Sequence, residues 1–128
     1  LNLPGDEMDD VIENAKVLSA LKVDNVKLHA LYIRENTQFA EMYEKGEIEI
    51  ESKEEYIERV ITFLKHLSPD IAVQRLLGRA PEDKTLFVNW GKHWSQVHQM
   101  ILNKMDRIDF QQGAKFDYLD GKALNAFK

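Results

Sequence analysis

The chain has 128 residues, enough for one compact domain and too few for two ordinary ones. Hydrophobic residues make up 44% and charged residues 30%, a folded-chain composition, and no apolar run approaches the roughly 20 residues of a membrane span. There is no Cys, which excludes a disulfide scaffold, a thiol nucleophile and a Cys-held zinc or iron–sulfur centre within these residues, and 17 Lys+Arg against 22 Asp+Glu (net -5) argues against a general nucleic-acid binder.

Leu1-Asn2-Leu3-Pro4-Gly5 reads as the last residues of a strand followed by its turn. With no initiator Met before it, the sequence is expected to be a piece cut from a longer polypeptide. Next come Met8, Val11, Ile12, Ala15, Leu18 and Leu21, spaced to keep one helical face apolar. Asp6, Glu7, Asp9 and Asp10 stand at its start, where the helix dipole favours negative charge, so they read as first-turn residues ahead of a metal site.

Val26 to Ile33 is short and apolar apart from Lys27 and His29, the pattern of a parallel-sheet strand covered on both faces. Strand end, helix and strand then form a βαβ unit. Asn36-Thr37 opens a short helix from Gln38 to Lys45, closed by Gly46 as C′ residue. Ile48 and Ile50 alternate with Glu47, Glu49 and Glu51, an extended connection. Ser52-Lys53-Glu54-Glu55 is a capping box, and Tyr56, Ile57, Val60, Ile61, Phe63, Leu64 and Leu67 give the helix behind it an apolar face that stops before Ser68-Pro69. Ile71 to Leu76 reads as another strand, Thr85 to Val88 as extended. A last helix runs from about Lys92 or Ser95 to Phe110, and the tail after Gly113 carries no readable pattern.

The order Leu3-Pro4-Gly5, acidic residues, helix, Val26-Lys27-Leu28-His29 and Tyr43-Glu44-Lys45-Gly46 resembles the later part of radical S-adenosylmethionine enzymes. The Ser52–Leu67 helix, Ser68-Pro69-Asp70-Ile71, Gln74-Arg75-Leu76 and Pro81 extend the match from Leu1 to about Gly113. Within that superfamily the chain is similar to small bacterial iron–sulfur oxidoreductases of unassigned function, related to the oxygen-independent coproporphyrinogen oxidases and the Elongator catalytic subunit. The resemblance implies an α/β fold: a fragment of a partial (β/α)6 TIM-like barrel (its last strands and helices) plus a C-terminal helical extension. Residues 1–128 then form one domain, with 1–50 the end of the barrel and 51–128 the extension.

In such enzymes a CxxxCxxC loop holds a [4Fe–4S] cluster, S-adenosylmethionine binds its differential iron, and reductive cleavage gives a 5′-deoxyadenosyl radical. Cluster and S-adenosylmethionine are therefore expected in the parent protein and neither is expected to be retained by this piece, which has no catalytic residue or metal ligand of its own. The resemblance places Pro4, Gly5, Leu31 and Tyr32 at the S-adenosylmethionine side, since ligands of α/β barrels sit beyond strand C-termini. The chain departs from the family in carrying Asn2-Leu3-Pro4-Gly5-Asp6 where Gly-Leu-Pro-Gly-Glu is common, and Leu77-Gly78-Arg79 where Thr-Gly-Asp often follows the Arg-Leu pair.

Three residues are substrate-side candidates. His29, on a barrel strand, can transfer protons near neutral pH or satisfy a core hydrogen bond. Gln74 and Arg75 share the third strand, and Arg75 can clamp a carboxylate or phosphate or pair with a structural acid. His66, His93 and His98 read as structural; His93 and His98, five apart, do not share a helix face. Trp90 and Trp94 read as core residues ahead of base-stacking ones.

The expected function is thus a C-terminal part of a radical S-adenosylmethionine oxidoreductase contributing to the cofactor and substrate pocket, inactive alone. The rival is a stand-alone α/β ligand- or partner-binding domain. Its expected partner is the rest of its own polypeptide, the cluster-binding part. Without the first barrel strands, the faces of Val26–Ile33 and Ile71–Leu76 should be uncovered and the piece should self-associate. No membrane or nucleic-acid partner is expected, and with no secretory pattern at the start the location is expected to be cytoplasmic.

Overall fold

A computed structural model describes residues 1–80 and 83–116. Pro81 and the chain beyond Phe116 lie outside the described residues. In chain order the elements are helix α1 (Met8–Ala20), strand β1 (Asn25–Lys27), strand β2 (Ile33–Arg34), helix α2 (Gln38–Glu44), helix α3 (Lys53–His66), strand β3 (Ala72–Arg75), strand β4 (Thr85–Phe87), a 3-10 turn (Asn89–Gly91) and helix α4 (Trp94–Arg107). This is a mixed α/β fold with two small sheets. β1 and β3 pair in parallel, Asn25 opposite Ala72 and Val26 opposite Val73, with β2 and β4 antiparallel beside them.

α3 is the hub, because its apolar residues recur on more than one face. Tyr56, Ile57, Val60, Ile61, Phe63, Leu64 and Leu67 are all buried, against Val11 and Ala15 of α1, Val97 and Ile101 of α4, and Leu28, Ile71, Leu76 and Leu77 at the ends of β1 and β3. Each such side chain contributes roughly 1.5–3 kcal/mol on burial, so this layer supplies most of the drive to fold. At its start half of the expected capping box forms: the Ser52 hydroxyl accepts from Glu55 N–H at 3.1 Å, while the Glu55 carboxylate turns toward Arg59. The α1 acids serve the helix start as well, Asp10 accepting from Glu7 N–H at 2.8 Å. Ser19 ties α1 to the end of α3, donating to the Ala15 carbonyl and accepting from Ser68 N–H at 2.9 Å.

Helices α2 and α4 end with the same device, a left-handed residue after the last turn whose own N–H and the next one reach back to open carbonyls. Gly46 does this for α2 at φ +72° as expected, with Glu47 N–H donating to Met42 O at 2.9 Å. α4 stops at Arg107 instead of reaching Phe110. Asp109 turns left-handed (φ +52°) there, and Phe110 N–H donates to Met105 O at 3.0 Å. The segment after Gln111 caps α3: Gly113 N–H donates to Leu64 O at 2.9 Å and Lys115 N–H to Lys65 O at 2.8 Å.

The expected strand from Val26 to Ile33 is broken. Pairing with β3 ends once Leu28 N–H donates to Arg75 O at 3.0 Å, and three residues on, Leu31 N–H is taken by the Asn2 side chain at 2.8 Å. A side-chain partner from 29 residues away ends the ladder, and Ile33 then restarts it against Phe87 in the other sheet. Leu1 to Leu3 run beside His29–Leu31 through this bond and Leu1 N to His29 O at 3.3 Å, without forming a strand. Coverage on both faces is also corrected. Asn25, Lys27 and His29 are exposed, whereas Val26 is half-buried and Leu28 buried, so only one face of β1 packs on the helices.

Candidate functional site

The site is built where β1 and β3 end, since their parallel C-termini point the same way. Leu3 to Asp6 form a turn closed by Asp6 N–H donating to Leu3 O at 3.0 Å. Pro4 supplies its first corner and Gly5, at φ +92°, its second, a conformation where a side chain is strained. Two anchors hold this turn. Asn2, 3% exposed, binds Leu31 as described. Arg59 of α3, also 3% exposed, donates to Leu1 O at 2.9 Å, to Asp6 O at 2.6 Å and to the Glu51 carboxylate, with Glu55 a further 3.8 Å neighbour.

The knot around Arg59 continues outward. Glu51 O accepts from the Trp90 indole N–H at 2.7 Å, and Trp90 packs on Tyr56 and edge-on to Phe87 at ring distances of 5.5 and 5.7 Å. Trp90 is therefore a structural residue, held at φ +53° by these contacts. Desolvation raises the Glu51 carboxyl above its ordinary value, outweighing the Arg59 charge that favours its ionised form. Burial likewise pushes the Tyr56 phenol up. The Tyr56 hydroxyl donates to Leu76 O at 2.8 Å, which fixes the backbone as it leaves β3.

Beside the Leu3–Asp6 turn lies a cavity of about 260 Å³ lined by Leu3, His29, Leu31 and Tyr32 with Asn2 at its base. Of the four cofactor-side candidates, Leu31 and Tyr32 line it, while Pro4 and Gly5 shape the adjoining turn and do not. A second cleft of about 320 Å³ opens beyond β3, lined by Gln74, Arg75, Leu77, Arg79, Trp94 and His98. His29 stands between the two. It lines the first cavity, and its Nδ1 lies 2.7 Å from where a Cβ on Gly78 would be, a point also 3.4 Å from Arg75 Nη1. All three substrate-side candidates thus gather at one end of the sheet.

Reading residues singly missed Arg79, Trp94 and His98. Arg79 lies over the Trp94 ring at 4.7 Å and His98 faces the same ring at 6.2 Å. His93 caps α4, its Nδ1 accepting from Ser95 N–H at 3.3 Å, and His66 Nδ1 meets Thr62 O at 2.9 Å. Those two are structural as read. A third, larger cavity of about 530 Å³ runs along β1 and α1 between Leu1, Val17, Leu18, Val26 and Leu28. Among the described residues no three His, Asp or Glu stand together as metal ligands, and no helix is long and apolar enough to cross a membrane. With no Cys in the chain, its residues do not fit an iron–sulfur cluster.

Residues 23–107, more than half the chain, match the model of the Radical_SAM C-terminal domain. The uncharacterized protein MJ0486 of Methanocaldococcus jannaschii is 35% identical over 116 residues, covering 90% of this chain and 35% of that protein. The uncharacterized protein YtqA of Bacillus subtilis is 28% identical over 118 residues, covering 92% of this chain and 37% of its own length. The chain therefore spans about a third of the relatives it matches. Among solved structures, the archaeal Methanocaldococcus infernus Elp3 with an N-terminal deletion superposes with a TM-score of 0.68 at 18% identity, over 86% of this chain and 26% of that one. At that identity the likeness speaks for the fold alone.

Proposed function

The chain belongs to the Radical_SAM C-terminal domain family, and from that premise we propose that it forms the last strands of a partial (β/α)6 barrel with the extension behind them, walling the cofactor and substrate pocket of a longer cytoplasmic radical S-adenosylmethionine oxidoreductase. The observation that carries this reading is the anchored Leu3–Asp6 turn next to the His29–Tyr32 cavity at the strand C-termini. There a small, largely apolar recess with an exposed Tyr32 ring suits the adenine part of S-adenosylmethionine, and the [4Fe–4S] cluster belongs on the cysteines of the remainder of the protein. S-adenosylmethionine on that cluster supplies hydrogen-atom abstraction when bound.

This chain's own residues shape and position. Asn2 and Arg59 fix the turn, Leu31 and Tyr32 wall the recess, and His29, Gln74 and Arg75 face the substrate side, His29 placed to give or take a proton there. The partner is the rest of the same polypeptide, packed along the edge of β1, which has no second strand among the described residues and borders the apolar 530 Å³ cavity. On its own the chain self-associates through that edge.

The test is made on the longer protein, reduced under anaerobic conditions, by measuring 5′-deoxyadenosine release. Gly5→Val and Tyr32→Ala should each weaken S-adenosylmethionine binding by about tenfold, the equivalent of one good contact. Unchanged affinity in both variants would sink the pocket assignment and leave a stand-alone binding domain.

A further inference from the structure

We propose that the cleft beyond β3 is an oxyanion-binding site in which Arg75 and Arg79 clamp a phosphate or carboxylate group of a small ligand. The first support is the sign of the charge. The chain has 22 acids and 17 bases, yet among the described residues the lining of this cleft holds two guanidinium groups and no carboxylate. Neither arginine has a carboxylate partner among the described residues, whereas buried Arg59 has two within ion-pair distance. Two like charges brought to one cleft repel unless something negative sits between them.

The second support is the geometry. Arg79 lies on the Trp94 ring, which holds the guanidinium plane and leaves its N–H edges free for the bidentate grip that suits carboxylate and phosphate. Trp94 is the first residue of α4, a helix of 14 residues, so the positive end of that helix borders the same space. His98, one turn along α4, and the Gln74 amide add further donors at the wall. Gly78 is bare where His29 and Arg75 converge, and a Cβ there would stand 2.7 Å from His29 Nδ1 and 3.4 Å from Arg75 Nη1, so the two side chains close on the same point. At about 320 Å³ the cleft is of small-ligand size, and the surrounding net charge of -5 disfavours a polyanion.

That this anion is part of the substrate rests on the proposed function; that the cleft binds it does not. The full 128-residue chain is titrated with inorganic phosphate and, separately, with acetate at constant ionic strength, following the Trp94 indole N–H signal by NMR. The Trp90 indole, bonded to Glu51 O, is the internal control. A saturable shift of Trp94 alone is expected. Removing one charged donor by Arg79→Gln or Arg75→Gln should weaken binding roughly tenfold or more, and Arg79→Lys should restore part of it.

Saturation by phosphate with no response to acetate assigns a phosphoester. Saturation by acetate assigns a carboxylate. No saturable shift with either anion, or the same affinity after both arginine replacements, overturns the proposal. Because Arg79 is exposed, its variant keeps the fold and decides the matter even if the Arg75 variant does not. Anion binding in a chain whose longer protein fails to cleave S-adenosylmethionine would defeat the proposed function and leave this site standing.

Discussion

Arg59 sits 3% exposed inside the knot that joins α3 to the Leu3–Asp6 turn, with two carbonyls and two carboxylates around it. Arg75 and Arg79 stand in the open at a cleft that holds no acid among the described residues. The contrast teaches what burial does to one chemical group. A guanidinium taken out of water must have its partners supplied by the fold, so Arg59 is wholly committed to architecture. An exposed one stays hydrated and can exchange water for a ligand.

The contrast breaks most visibly at Arg59. Arg59→Ala leaves Glu51 and two carbonyls without their donor, and should cost about 3–5 kcal/mol in urea unfolding, a large share of the roughly 5–15 kcal/mol that holds a domain folded. If the loss is under about 1 kcal/mol, the knot is ordinary surface pairing. Next come two neutral contacts on the same helix. Tyr56→Phe strands the Leu76 carbonyl and Ser52→Ala strands the Glu55 N–H; each should cost about 1 kcal/mol by the same measurement.

A pH series sharpens the picture of the knot. Folding raises the Glu51 pKa, so the stability Glu51 contributes is present below its unfolded value near 4.5 and declines as pH rises through the raised, folded one. Glu51→Gln cannot ionise, so its stability relative to the native chain should improve as pH climbs through the carboxylate range. A relative stability that falls with pH would mean Arg59 attraction outweighs desolvation. The smallest effect belongs to the open pair: Arg79→Gln should stay within about 0.5 kcal/mol of the native chain in unfolding, while losing anion binding.

Much of this fold is legible in the residues where the signal is local. The Ser52 cap, Gly46 after α2 and the apolar faces of α3 are read within a turn or two of chain, and the structure carries each of them. What fails is decided at a distance. Nothing within Val26–Ile33 announces that Leu31 N–H is claimed by Asn2, and the helical pattern of α3 says only that Arg59 shares a face with apolar neighbours. The candidate site divides the same way. His29, Gln74 and Arg75 were legible from their placement at strand ends. Arg79, Trp94 and His98 lie on a loop and a helix start, and their company with Arg75 exists only in three dimensions.

The reach of Arg59 also bears on how the chain can be divided. It grips Leu1 and Asp6 across 58 and 53 residues of sequence, and α1 packs its Val11 and Ala15 into the α3 core. The join near Glu51 is thus a crossing of chain without being a seam in the solid. Two polypeptides cut there, each unable to cover its half of the core, would have their missing contacts encoded in the other. Mixed together, they should find one another and complement into the uncut fold, with Arg59 as the clasp.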